Sequence, residues 1–150
     1  MTAYLRGAAV DANVQEFPAG TLTAQAAATA IGCDLRQIVK SLVFVCEGAN
    51  ILALVPGDQR ADETKVAAAA GVTAVRIASA DEVLAATGFE PGSVAPFPQR
   101  AIWRAFIERT VLQHKKVWIG AGSSMHMAVL APSDLQRLAR ANAADLTVRR

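Results

Sequence analysis

The sequence predicts an α/β protein of the α+β kind: a mixed, mostly antiparallel sheet or barrel surrounded by helices, in a single domain over residues 1–150. Three observations predict it. The chain is 53 % apolar and only 19 % charged over 150 residues, which excludes a disordered polypeptide and allows a core without disulfide staples. Six or more short runs rich in β-branched and aromatic residues recur along it. Between them lie alanine-rich segments bounded by helix caps and glycine stops, and some links are too short for parallel crossovers.

Val10 and Val14 are spaced for one helical face, so a short helix is expected before the turn at Pro18-Ala19-Gly20. Thr21 or Thr23 then caps a helix from Ala24 to Ile31, with Gly32 as its stop. The run from Gln37 to Val45 is the most strand-like in the chain. In it Lys40 shares a face with Ile38, Leu42 and Phe44, while Val39, Ser41, Val43 and Val45 take the other. An ammonium on an apolar face must reach water, find a partner or lose its proton. On the strand alone, a lysine whose stem packs while its amine snorkels to solvent explains Lys40 better than a functional one does.

Glu47-Gly48-Ala49-Asn50 links this strand to Ile51-Leu52-Ala53-Leu54-Val55 as an antiparallel hairpin, and Pro56-Gly57-Asp58 ends the second strand. Asp62 caps a helix from Glu63 to Ala70 with Gly71 past its end, Val66, Ala69 and Ala70 facing inward and Lys65 on the flank. Val72 to Ala78 reads as a short strand. Ser79 and Glu82 form a capping box for a helix over Asp81–Ala86. The run Thr87 to Pro98 holds two glycines and three prolines, a stiff loop that suits either a pocket wall or a plain connector. Ala101 to Leu112 fits a helix or a strand. Strands follow at Val117–Ile119 and Met125–Leu130, joined by a second glycine turn at Gly120-Ala121-Gly122-Ser123-Ser124. Ser133 caps a final helix burying Leu135, Leu138 and Ala139, and the tail from Ala143 frays.

Function classes fall away in turn. A net charge of +2 does not advertise a duplex-binding surface. Cys33, Cys46, His114 and His126 have no metal-ligand or disulfide spacing, so small buried thiols are expected and no metal or cofactor. No leader or membrane-length apolar run is present, which reads as a cytoplasmic protein without membrane contact. There is no G-x-S-x-G elbow and no G-x-G-x-x-G fingerprint. Asp62-Glu63 and Asp81-Glu82 sit at helix starts, where they favour the helix dipole. What survives is a lysine in an apolar strand, a rigid Gly/Pro loop and a second glycine turn.

Those three features, in that order, resemble the YbaK/ProX-type aminoacyl-tRNA deacylases, a family related to the editing insertion domain of bacterial prolyl-tRNA synthetases. Gln37 to Phe44 looks like the family's lysine strand, Val55 to Lys65 like its turn-and-helix entry, and Thr87 to Pro96 like its pocket loop. Gly120-Ala121-Gly122 followed by Pro132-Ser133-Asp134-Leu135 resembles its closing segment. The resemblance covers residues 20 to 140 and makes Ile102 to Ile107 a strand followed by an acid, Glu108.

It implies a metal-independent trans-editing hydrolase that deacylates mischarged aminoacyl-tRNA, with tRNA(Pro) carrying Ala, Cys or Ser as the expected substrate. Its partners would be the tRNA acceptor end and prolyl-tRNA synthetase. Lys40 would orient the terminal nucleotide or the aminoacyl group; Gly88, Gly92, Ser93, Val94, Pro96, Gly120, Gly122 and Ser123 would bind substrate. The backbone of Gly92 to Pro96 would hold the amino acid and position the attacking oxygen. Where many relatives carry basic residues after the second glycine turn, this chain has Ser123-Ser124-Met125-His126, and Ser123 reads equally as turn chemistry or ligand contact. A non-catalytic module of the same fold that binds a tRNA end or a synthetase is the alternative, with a general esterase for small activated esters behind it.

Overall fold

The computed structural model describes residues 13–17, 23–89, 91, 94–96, 101–123 and 126–148, without the side chains of residues 13, 122 and 123. The strands are β1 (Asn13–Glu16), β2 (Val39–Cys46), β3 (Ala49–Pro56), β4 (Arg76–Ile77), β5 (Ile102–Glu108), β6 (Val117–Ser123), β7 (His126–Leu130) and β8 (Ala141–Ala144). The helices are α1 (Ala24–Ile31), α2 (Glu63–Ala70), α3 (Ala80–Thr87) and α4 (Pro132–Ala139). One sheet has the order β4-β2-β3-β5-β8 and the other β1-β7-β6. The second sheet is antiparallel throughout, as are the β2–β3 and β2–β4 pairs. β3–β5 and β5–β8 are parallel, so the sheet is mixed as expected. A parallel bridge between Ile38 and Trp118 links the two sheets.

The five-stranded sheet is covered on both faces, which is why Ile51 to Val55 is a continuous apolar run and not an alternating one. One face sends Val39, Val43, Leu52 and Leu54 into the main core against Ile119, Leu130, Leu135 and Leu138. The other packs Phe44, Ile51, Val55 and Phe106 against Val66, Ala67 and Ala70 of α2. Each fully buried aliphatic side chain contributes about 1.5–3 kcal/mol of burial. The two faces of β2 divide as its alternation predicts. α1 seals one end of the molecule through Ala27 and Ala28, beside Ile38 and Met127.

Several local signals are realised. Thr23 Oγ1 accepts from Ala26 N–H and Gly32 ends α1 in the left-handed region. Asp62 caps α2. Ser79 and Glu82 form the capping box of α3. β2 and β3 are joined by Glu47 and Gly48, both at positive φ (47° and 82°). That two-residue turn is tighter than the expected four-residue link.

Other expectations are corrected. Val14 lies in β1, paired with Ala128, and not in a helix; the turn expected at residues 18–20 and the candidate cap Thr21 lie outside the described residues. The expected strand Val72–Ala78 shrinks to Arg76–Ile77. Gly120, Ala121 and Gly122 belong to β6, whose register shifts between Gly120 and Ser123 before Ser123 pairs with His126. The chain therefore reverses after these glycines. α4 starts at Pro132 with Ala131 as N-cap and no side-chain cap, so Ser133 is already inside the helix. The tail is anchored: β8 pairs with β5, and Leu146 is fully buried. Cys33 and Cys46 are half-buried free thiols.

Candidate active site

Lys40 sits one residue into β2, opposite Val55 of β3. The chain leaving β3 folds back over the start of β2, where Gly57 N–H donates to Ile38 O at 2.7 Å. A Cβ on Gly57 would lie 2.7 Å from the Leu35 carbonyl oxygen, so only glycine allows this approach. The fold-back carries the Gln59 carbonyl over the sheet, and Lys40 Nζ donates to it at 2.7 Å. Burial lowers the Lys40 pKa from its ordinary value, and the nearby Asp58 carboxylate opposes that shift. The residue is half-buried. Its stem is packed, and its charge is met by a carbonyl dipole and a neighbouring acid.

β4 pairs with β2 only at Phe44 and Val45. The stretch of β2 from Val39 to Leu42 borders a cavity of about 270 Å³, somewhat below the roughly 300–1,000 Å³ of pockets that engulf drug-sized ligands. α1 supplies one wall through Ala24 and Ala27, Val94 a second, and Gly120 and Met127 a third. Lys40 also lines a wider groove on its other side, about 670 Å³, shared with Asp58, Gln59, Arg60, Asp62 and Glu63.

Lys40, Val94 and Gly120, each from a different segment singled out in the sequence, thus meet at one cavity. Gly88 does not join them. It is exposed, ends α3 at φ 76°, and donates its N–H to Leu84 O, a helix stop and not a described part of the cavity wall. Pro96 is buried but is not among the described wall residues. Gly92 and Ser93 lie outside the described residues, and Gly122 and Ser123 are described only as backbone of β6. Sequence reasoning missed the α1 wall, Met127 and the Gln59 carbonyl. The Pro56-Gly57 turn is the signal that would have found the last.

Glu108, expected just after the strand, is instead the last residue of β5; it is 3 % exposed and is not among the described residues lining this cavity. Its carboxylate accepts from Thr110 N–H and Oγ1, both at 2.7 Å, and from Leu146 N–H at 3.1 Å. It ties the C-terminal segment to the sheet.

A two-sheet α+β fold with a lysine-bordered cavity defines a class, and the chain belongs to the aminoacyl-tRNA editing domain family, whose model matches residues 19–138. Among its relatives is the proline–tRNA ligase of Xanthomonas oryzae pv. oryzae, 32 % identical over 119 residues, 79 % of this chain and 21 % of the ligase. The chain thus spans about a fifth of that enzyme's length. The Enterococcus faecalis protein named "Putative Cys-tRNA(Pro)/Cys-tRNA(Cys) deacylase EbsC" is 26 % identical over 85 % of this chain and 79 % of its own. A solved structure described as "a putative trans-editing enzyme for prolyl tRNA synthetase" superposes with a TM-score of 0.88 at 34 % identity, covering 99 % of this chain and 94 % of that one. No helix among the described residues is long and apolar enough to cross a membrane.

Proposed function

We propose that this chain hydrolyses the ester joining a wrong amino acid to the terminal adenosine of a tRNA, acting in trans on tRNA(Pro) that carries a small amino acid, Ala, Cys or Ser. The observation that supports this reading most is the meeting of Lys40, Val94 and Gly120 around a cavity of aminoacyl size. Membership of the editing family and the names of the relatives point the same way.

An aminoacyl ester is already activated, so the reaction needs a positioned oxygen nucleophile and electrostatic support, and this reading assigns no metal. The oxygen of a water molecule adds to the ester carbonyl as the water gives up a proton, the bond from the carbonyl carbon to the ribose oxygen breaks, and that oxygen takes up a proton. Free amino acid and uncharged tRNA leave. Lys40, held by the Gln59 carbonyl, supplies positive charge beside the terminal nucleotide or the acyl group. The segments that carry Val94 and Gly120 hold the amino acid in this reading, and the small, mostly apolar enclosure excludes a large side chain. The setting is the cytoplasm, in company with prolyl-tRNA synthetase.

A panel of mischarged tRNAs incubated with the protein, with and without a chelator, tests this. Release of a small amino acid from tRNA(Pro), unchanged by the chelator, is expected. Binding of the tRNA without release would leave a non-catalytic module.

A further inference from the structure

Ser41 is the polar interruption of an apolar strand face. Its neighbours on that face, Val39 and Val43, both enter the main core. Its hydroxyl oxygen is buried and has no hydrogen-bond partner among the described residues. Buried hydroxyls are almost always paired, because an unpaired one forfeits its hydration. Alanine would fill the same place without that cost. A hydroxyl left unpaired on the inward face of a half-buried strand position marks a residue held for something other than packing.

Ser41 also borders the cavity beside Lys40. The two residues lie on opposite faces of β2 and so approach it from different sides. Lys40 is half-open to the neighbouring groove, the side on which a bulky nucleotide has room. Ser41 shares its face with Val39 and Val43 of the core, and apart from Lys40 and Thr23 the other described side chains around the cavity are apolar. No acidic side chain is among the described residues of the cavity. A substrate ammonium driven to that end would lose its water without gaining a counter-charge. The group that meets Ser41 is therefore neutral, and the reacting ester stays near the mouth with its ribose.

We propose, resting on the editing function above, that Ser41 is the specificity-determining residue of the cavity. Its hydroxyl bonds a hydroxyl or thiol on the side chain of the bound aminoacyl group. The substrate class is a small polar aminoacyl ester, and the alanyl ester is the disfavoured one. A site that hydrogen-bonds a substrate hydroxyl rejects the analogue lacking it, because its own polar group is then left unpaired.

Single-turnover deacylation of Ser-tRNA(Pro) and Ala-tRNA(Pro) tests this, together with binding of the non-hydrolysable seryl- and alanyl-sulfamoyl adenosine analogues. The wild-type protein is expected to favour the seryl substrate and analogue by roughly tenfold or more. Ser41→Ala is expected to bring the two within about threefold, chiefly by losing the seryl one. Ser41→Thr, which keeps the hydroxyl, preserves the order. Equal handling of both by the wild type overturns the proposal without any variant being needed. So does a Ser41→Ala protein that loses both substrates equally. Turnover without preference overturns this proposal alone, whereas a wild type that deacylates no mischarged tRNA overturns the editing function and this assignment with it.

Discussion

Two lysines in this fold are taken partly out of water, and their surroundings treat them in opposite ways. Lys65 of α2 donates to Asp145 Oδ1 at 3.1 Å and to the Thr147 carbonyl at 2.6 Å. Around it the C-terminal segment is dense with partners: Glu108 accepts three hydrogen bonds, and Thr147 Oγ1 donates to Gln59 Oε1. Among the described residues Lys40 has one carbonyl acceptor, a nearby Asp58 carboxylate that offsets only part of the downward shift burial imposes on its pKa, and a strand neighbour, Ser41, whose buried hydroxyl has no partner. Polar groups that hold a fold together are saturated by the fold itself. The Ser41 hydroxyl beside the cavity has no such partner among the described residues, and that difference separates a buttress from the candidate site.

Breaking the comparison at its two lysines gives the largest contrast. Lys40→Ala is expected to lower single-turnover deacylation by about 100-fold or more, with little change in melting temperature, since the desolvation of this half-buried ammonium outweighs the help it receives from Asp58. Lys65→Ala is expected to do the reverse. It loses about 1–2 kcal/mol of stability in urea unfolding, because both of its bonds cross to the C-terminal segment, and the folded fraction keeps its activity. Exchanged phenotypes would contradict the division.

Glu108→Ala tests the buttress. It leaves the N–H groups of Thr110 and Leu146 without their acceptor, and urea unfolding is expected to show a loss of about 3 kcal/mol. Gly57→Ala acts on the link between the two regions. Its Cβ would press on the Leu35 carbonyl, so a stability loss of about 1–3 kcal/mol is expected. Movement of the Gln59 carbonyl should lower deacylation beyond what the loss of folded protein explains.

The smallest effect lies far from both regions, at the start of α3. Ser79→Ala is expected to cost about 1 kcal/mol and to leave activity unchanged. Arg76 and the Ser79 backbone hold the Glu82 carboxyl at about 2, below its ordinary 4.5. Its folded-state pKa is depressed, so its contribution is complete above 4.5 and is lost as pH falls toward 2. The stability gap between wild type and Glu82→Gln is therefore expected to close across that window in acid denaturation.

Local chemistry made much of this fold legible in the sequence. The caps at Thr23, Asp62 and Ser79, the stops at Gly32 and Gly71, and the two faces of β2 each depend on residues within a turn or on strict alternation. What was not legible depends on distant partners. Val14 has helical spacing but is held in β1 by β7. The Ala141–Ala144 stretch has no strand signature of its own and becomes a strand because β5 offers a parallel edge. Pro132 takes the first helical position and displaces Ser133 from the cap. In the site, Lys40 and the glycine-containing segments were visible as residues out of place. The α1 wall and the Gln59 carbonyl were not, since ordinary residues become part of a cavity only through packing.

The most direct measurement is a crystal structure of the protein with a non-hydrolysable aminoacyl-sulfamoyl adenosine. The aminoacyl group is predicted in the cavity bordered by Lys40, Ser41, Val94 and Gly120, with the adenosine on the Lys40 side. An aminoacyl group seated instead in the groove beside Asp58 and Glu63, with the cavity unchanged, would contradict the account.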